Sequence, residues 1–259
     1  MKYLLRPGRP SIAYRADGEG EPLVLVHGVG GGAENWDGVV ADLPPRFRVI
    51  RLDLRGHGGS GLITSPCTVR DLAGDVTDVM DALGVQSAAI AGFSLGGLIA
   101  QSMALDSPGR VSKLVLVDAV AGRTPEEKAR SAARIEVVRE KGPAFIAEGN
   151  RTFWFSDAFR EANPEAVEAR VRQFMACDPA SYLHAYAVFA KGDFGERLRE
   201  IRKPTLVMTG EFDTAATARM ARLMHEHIAG SRLEILAGMR HAVLIECPER
   251  VAELLAGFL

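Results

Sequence analysis

An α/β fold on a mostly parallel sheet is predicted by three observations. Short, mainly apolar runs alternate with longer stretches of helical periodicity. Each run ends on a glycine or a polar residue, as strands do where they pass into sheet-end loops. Of the 259 residues, 47% are hydrophobic, which supplies a core for a sheet covered on both faces.

The elements follow in order. Residues 2–5 and 11–15 fit edge strands, set in a basic, proline-interrupted start. The run 23–26 ends at His27-Gly28, and 48–52 ends at Asp53. A helix is expected over 69–83. The run 88–91 ends at Gly92, and a helical stretch over 95–105 follows. The run 114–117 ends at Asp118. Further on, 205–208 ends at Thr209-Gly210, a helix is expected over 217–228, 233–236 ends near Gly238, and a last helix covers 248–259. One segment breaks the alternation. From Ala119 to about Arg202 no good strand occurs, and Arg, Glu and Ala dominate around Phe153-Trp154-Phe155 and Phe174-Met175. This predicts a core domain of residues 1–118 and 203–259, with 119–202 inserted as a helical cap over the carboxyl ends of the strands.

Composition narrows the function classes. Thirty-one Lys and Arg against 33 Asp and Glu give a net charge of −2, which points to neither a nucleic-acid partner nor an anionic membrane. No apolar run approaches the roughly 20 residues of a membrane helix, and the N-terminus lacks the apolar core of a signal peptide. Cys67, Cys177 and Cys247 are odd in number and widely spaced, so they read as free thiols in a reducing compartment. The expectation is a cytoplasmic monomer or homodimer that acts on a small molecule without metal or cofactor. His225 and His227 stand two apart on a predicted helix, point to different faces and make no metal pair.

Chemistry concentrates just past strand ends, where ligands bind in open α/β sheets. Gly92-Phe93-Ser94-Leu95-Gly96 lies between an apolar strand and an apolar helix. In that context Gly-x-Ser-x-Gly is a nucleophile elbow, a turn tight enough to strain its central serine and exclude bulk at its flanks. Serine alone is a weak nucleophile near neutral pH and needs a base. His241 supplies one after the run 233–236, since imidazole is the side chain that exchanges a proton in this pH range. Asp213, after the run 205–208, is the acid that fixes the ring's tautomer, and the order Ser, Asp, His suits the elbow. Asp118 also ends a strand and is the alternative acid. An oxyanion needs two backbone donors. Leu95, opening the helix, and Val29, in the loop after 23–26, are assigned to it. Losing one such donor costs on the order of 3 kcal/mol of transition-state stabilisation.

The chain resembles the α/β-hydrolase fold enzymes with a serine nucleophile and a helical cap. The resemblance rests on His27-Gly28 with Trp36 downstream, on 53–60 (Asp-Leu-Arg-Gly-His-Gly-Gly-Ser), on Gly92 to Gly97, on Gly210 to Asp213, and on His241 followed by Glu246-Cys247-Pro248. It runs from about Ile12 to Leu259. The stretch Cys177 to Tyr182 (Cys-Asp-Pro-Ala-Ser-Tyr), with the elbow, is similar to 3-oxoadipate enol-lactonase-like members. After Asp213 the chain reads Thr-Ala-Ala-Thr where many members carry a proline, which leaves that loop's conformation open. The resemblance implies hydrolysis of a small ester or lactone through an acyl-enzyme, an enol-lactone such as 3-oxoadipate enol-lactone among the candidates. Neighbouring chemistries are amide or carbon–carbon bond hydrolysis of a small carboxylate-bearing substrate, and perhydrolysis. A hydrolase-like ligand-binding protein is the non-enzyme alternative.

Substrate contacts are the least constrained. The first reading of His27 and His57 is loop ordering, and His27 and Gly28 also stand as candidate contacts. Phe153-Trp154-Phe155 reads first as core, with Trp154 a candidate pocket wall. Arg123, Arg134 and Arg151 default to a charged surface but are candidate partners for a substrate carboxylate. A rival pattern, Gly28-x-Gly30-x-x-Ala33 with Asp53 closing the next strand, spells a dinucleotide fingerprint. It leaves the elbow, Asp213 and His241 without a purpose, whereas a hydrolase uses the same glycines to free backbone N–H groups.

Overall fold

The computed structural model describes residues 1–259. Eight strands form one sheet: β1 (Lys2–Arg6), β2 (Arg9–Asp17), β3 (Glu21–Val26), β4 (Phe47–Leu52), β5 (Ala88–Phe93), β6 (Val111–Val117), β7 (Thr205–Gly210) and β8 (Arg232–Leu236). Their spatial order is β1-β2-β4-β3-β5-β6-β7-β8. Strand β2 runs antiparallel to β1 and β4, and β4 through β8 pair in parallel. The expected edge strands are therefore present, and β2 is the one that reverses direction.

Alternation explains the continuous apolar runs. On β3, Val24 and Val26 face one buried cluster while Leu23 and Leu25 face the other, so neither side of the strand reaches water. Helices α1 (Asp37–Ala41), α2 (Val69–Ala82) and α3 (Leu95–Asp106) follow the first strands. Between β6 and β7 the chain forms α4 (Pro125–Lys141), α5 (Ala144–Trp154), α6 (Asp157–Ala162), α7 (Pro164–Met175) and α8 (Pro179–Lys191) with no strand among them. Helices α9 (Ala218–His227), α10 (Val243–Glu246) and α11 (Pro248–Phe258) complete the chain. Residues of α1, α10 and α11 pack on the Leu23/Leu25 face, whereas α2, α3, α9 and much of the insertion share the Val24/Val26 cluster.

The insertion starts and closes locally. Asp193 accepts the backbone N–H groups of Gly122 (2.7 Å) and Arg123 (2.9 Å), tying its two ends together. Helix α4 begins with a reciprocal Thr124–Glu127 cap and Pro125 in its first turn, and α8 begins where Asp178 accepts the N–H of Ser181 (2.8 Å). Ser181 is fully buried and accepts the N–H of Ile63 (3.0 Å), so the stretch that resembles the enol-lactonases is a helix start fastened to the sheet domain. No helix is long and apolar enough to cross a membrane.

Candidate active site

Ser94 sits between β5 and α3 at φ 55°, ψ −112°, one of only two non-glycine residues with positive φ. The flanking glycines make this turn possible. A Cβ on Gly92 would lie 2.1 Å from the Gly96 carbonyl oxygen, and one on Gly96 would lie 2.2 Å from that of Val26. Such distances are sterically forbidden, so a larger residue at Gly92 would force β5 away from α3, and one at Gly96 would force α3 away from β3. The strain holds the hydroxyl at the sheet's carboxyl edge, where Ser94 keeps 5% exposure and lines a cavity of about 320 Å³.

His241 lines the same cavity. Its Nδ1 donates to Asp213 Oδ2 at 2.6 Å, which leaves Nε2 as the free ring nitrogen. Phe153 stacks on the ring (centroids 4.9 Å apart) and Phe93 lies against it at 5.0 Å. The loop after Asp213 is ordered without proline, because Asp213 Oδ1 accepts the N–H groups of Ala215 (2.8 Å) and Ala216 (3.0 Å). One carboxylate thus holds its own loop with one oxygen and the imidazole with the other.

Asp118, the other candidate acid, is not bonded to His241. It is fully buried at φ 44°, and its Oδ1 accepts Thr209 Oγ1 (2.9 Å) and Gly210 N–H (3.0 Å). Its Oδ2 has no partner in the protein. Burial, reinforced by the nearby charge of Asp213, raises this carboxyl well above the usual range. Ligand-type atoms of Asp118, Asp213 and His241 lie within 4.8 Å of one another, so the two buried carboxyls are close neighbours although only Asp213 is bonded to the ring.

The loop after β3 is aimed by histidines. His27 Nδ1 donates to the Gly28 carbonyl (2.7 Å), and its Nε2 accepts Leu54 N–H (2.9 Å). In a trans peptide the N–H points opposite to the C=O, so fixing the Gly28 carbonyl on the His27 side turns the Val29 N–H the other way. The N–H groups of Gly30, Gly31 and Gly32 are bonded to His57 Nε2 (3.0 Å), Gly28 O (3.2 Å) and Asn35 Oδ1 (2.9 Å), and Val29's N–H takes part in none of these bonds. Val29 lines the cavity beside Ser94. Leu95, as the first residue of α3, has an N–H without an intrahelical acceptor. Both histidines accept a backbone N–H and so must be neutral. Burial pushes His27 down to about 4 and His57 down to about 3.

Several expected substrate contacts lie elsewhere. His27 is fully buried and committed to backbone, and Gly28 is a point of close approach where a Cβ would meet Ser94 Cβ at 2.9 Å. Arg151 is outside the cavity, ion-paired with Glu148 (2.8 Å) and Glu168. Arg123 lines the cavity, but its Nη1 donates to Gly192 O (2.6 Å) and its guanidinium covers Phe189 at 4.7 Å, so it braces the neck of the insertion. Trp154 and Arg134 do line the cavity. Arg134 Nη2 donates to Asn150 Oδ1 (2.6 Å), and no carboxylate pairs with it. Sequence reasoning placed Phe153 in the core and missed Asn150, Tyr182 and Tyr186 as wall residues. An aromatic spacing at Phe174, Tyr182, Tyr186 and Phe189 was the available signal, indistinguishable from core without the fold.

The dinucleotide reading fails at Asp53. Its oxygens accept the N–H groups of Ala33 and Gly59, each at 2.8 Å, so the residue that would face a ribose secures two loops of its own chain. The glycines lead only into a single 3₁₀ turn (Ala33–Trp36) and the five-residue α1.

Comparisons with known proteins agree. The sequence profile of the alpha/beta hydrolase fold family matches residues 21–248. The chain is 30% identical to 3-oxoadipate enol-lactonase 1 of Acinetobacter baylyi, over 91% of this chain and 87% of that protein. It is 28% identical to the (E)-2-((N-methylformamido)methylene)succinate hydrolase of the same organism, over 95% and 93%. The crystal structure of an enol-lactonase from Burkholderia xenovorans superposes with a TM-score of 0.92 at 28% identity, covering 99% of both chains. With the serine turn, the eight-stranded sheet and this match along most of its length, the chain belongs to the α/β hydrolase fold family and is an enzyme of that family.

Proposed function

We propose that the protein is a serine hydrolase that opens a small, carboxylate-bearing ester or lactone through an acyl-enzyme. Ser94 Oγ bonds to the substrate's acyl carbon while His241 Nε2 takes its proton. The bond to the leaving oxygen breaks as His241 returns that proton. Water, deprotonated by His241, then releases the acid and regenerates the serine. Asp213 orients the ring and stabilises its charged form. The N–H groups of Val29 and Leu95 hold the oxyanion. Residues 119–202 act as a cap on the core of 1–118 and 203–259, and three free cysteines favour a cytoplasmic setting. No metal or cofactor is required by these steps.

The observation that carries the reading is one cavity of about 320 Å³ bordered both by Ser94 and His241 and by Arg134, a cation without a carboxylate partner. An enol-lactone such as 3-oxoadipate enol-lactone fits that combination and is the substrate of the similar Acinetobacter protein by its name. Amide hydrolysis is the second reading, favoured by the likeness to the methylformamido-methylene-succinate hydrolase, whose name also denotes a carboxylate.

The test is turnover of p-nitrophenyl acetate and of a small carboxylated enol-lactone by the wild type and by Ser94→Ala. The substitution is expected to cost at least about 10⁴-fold in kcat. Mass spectrometry of the quenched wild type should find the acyl group on Ser94. Comparable rates for both proteins, or no turnover of any ester, lactone or amide, would overturn the proposal.

A further inference from the structure

The loop that carries Val29 is held by three side chains, and one of them comes from the insertion. His27 fixes the Gly28 carbonyl and His57 fixes the Gly30 N–H. Arg170, in the middle of α7, donates from Nη1 to the Gly30 carbonyl at 2.7 Å across 140 positions of sequence. The neighbours one turn on reinforce the contact. Gln173 Oε1 accepts from Asn35 Nδ2 (2.9 Å), and its Nε2 donates to Glu34 (2.6 Å). The Phe174 ring fills the space beside Gly30, where a Cβ would come within 2.8 Å of it; Gly30 itself is at φ +68°. Residues 170, 173 and 174 stand at i, i+3 and i+4, so they form one face of α7 laid on this loop.

Arg170 is costly to keep where it is. It is 8% exposed, no carboxylate pairs with it, and its guanidinium lies over Trp154 at 4.1 Å. A buried cation so placed is expensive unless its hydrogen bonds compensate, and burial lowers Arg170 to about 10. A methionine or leucine would pack the same spot without that cost. The arginine's distinguishing contact is the Gly30 carbonyl, and Gly30 is the residue next to Val29. Arg170 also borders a side chamber of about 30 Å³ together with Val29, Ser94 and His241, so its contact lies at the reacting end of the cavity.

We propose that Arg170 is a positioning residue: by holding the Gly30 carbonyl from α7, two peptides beyond the Gly28–Val29 peptide that His27 orients, it steadies the loop that presents the Val29 N–H and makes the oxyanion site depend on the seating of the inserted helices. This rests on the reading of Val29 as an oxyanion donor. The ground-state ester makes little use of that donor and the tetrahedral anion makes full use of it, so loss of Arg170 acts on kcat more than on KM.

The experiment uses Arg170→Met and Arg170→Lys in the full chain, with p-nitrophenyl acetate as substrate and phenylboronic acid as a probe that becomes a tetrahedral anion on the serine. Arg170→Met is expected to lower kcat by roughly 100-fold with KM within about threefold, the scale of a 1 Å misplacement. Its affinity for phenylboronic acid should fall in proportion to kcat/KM. Arg170→Lys, which can still donate to the Gly30 carbonyl, should recover at least about tenfold of the lost rate. If Arg170→Met does not fold, Arg170→Gln, smaller in its demands and with one neutral donor, is expected to lose roughly tenfold in kcat. A folded Met or Gln variant with wild-type kcat, or a boronate affinity that stays at the wild-type value while the rate falls, overturns the inference. Inactivity of the wild type towards every ester, together with no boronate binding, would instead overturn the hydrolase proposal itself.

Discussion

The sheet-end loops and the inserted helices border one cavity but hold their polar groups by opposite means. In the loops, side chains accept backbone N–H groups: Asp53 from Ala33 and Gly59, His27 from Leu54, His57 from Gly30, Asp213 from Ala215 and Ala216. In the insertion, guanidiniums donate to carbonyl or amide oxygens and lie over aromatic rings: Arg123 to Gly192 and over Phe189, Arg134 to Asn150, Arg170 to Gly30 and over Trp154. The first pattern locks backbone into a single geometry, as transition-state stabilisation requires. The second leaves cations without carboxylate partners around a hollow, as recognition of an anion requires. On the proposed function, chemistry belongs mainly to the loops and selectivity mainly to the insertion, with Arg170 as the link between them, and three measurements can break that division.

The largest effect is expected within the loops. Asp213→Asn should cost about 10⁴-fold in kcat, because an amide cannot stabilise the imidazolium and can favour the wrong tautomer. Asp118→Asn should stay within about threefold, since Asp118 is not bonded to His241 and an amide oxygen can still accept from Thr209 and Gly210. Measured kcat values for the pair decide it. Similar losses at both positions would mean that the two buried carboxyls act as one unit.

The histidine-held loops should be acid-sensitive. His27 and His57 are depressed to about 4 and about 3, against 6.5 for a free imidazole. The unfolded chain then binds protons that the fold excludes, so this stability is fully present above pH 6.5 and is lost as pH falls from there towards the folded values. At about 1.4 kcal/mol per pH unit for each ring, roughly 2 kcal/mol from each has gone by pH 5. His57→Gln, which can still accept from Gly30 but does not titrate, should show a shallower fall of urea stability between pH 7 and pH 5. Parallel curves for the variant and the wild type would remove His57 from the account.

The smallest effect tests the insertion. Arg134→Gln should raise KM for a carboxylate-bearing ester by roughly 10-fold, the scale of one charge-assisted hydrogen bond in a partly hydrated cavity. KM for neutral p-nitrophenyl acetate should move by less than about twofold. Equal changes for both esters would show Arg134 shaping the cavity rather than reading charge.

The same division governs what could be read in advance. Ser94 was legible because a strained turn demands small flanking residues in adjacent positions, and Gly92 and Gly96 record that demand in the sequence. Asp213 was legible because the fully buried β7 announces its own end, and His241 because it follows the next run, β8, in the order that suits the serine turn, although β8 is a half-buried edge strand. Arg134 and Arg151 show the opposite case. They share a residue type and a segment, yet one lines the cavity and the other is paired with Glu148 and Glu168. Nothing local separates them, since each orientation depends on how five helices pack on one another. Phe153 likewise has the sequence of a core residue and lies on the imidazole of His241.

The amino-acid sequence by itself determined the parallel sheet, the strandless stretch between β6 and β7 and the residues that stand at the sheet's carboxyl edge, because backbone strain and strand burial restrict residue types within a few neighbouring positions. Only the tertiary structure decided which acid holds the imidazole, which arginine meets the hollow and which one reaches Gly30. Those choices are made by contacts 16 to 140 positions apart, for which the short-range pattern of side chains carries no record.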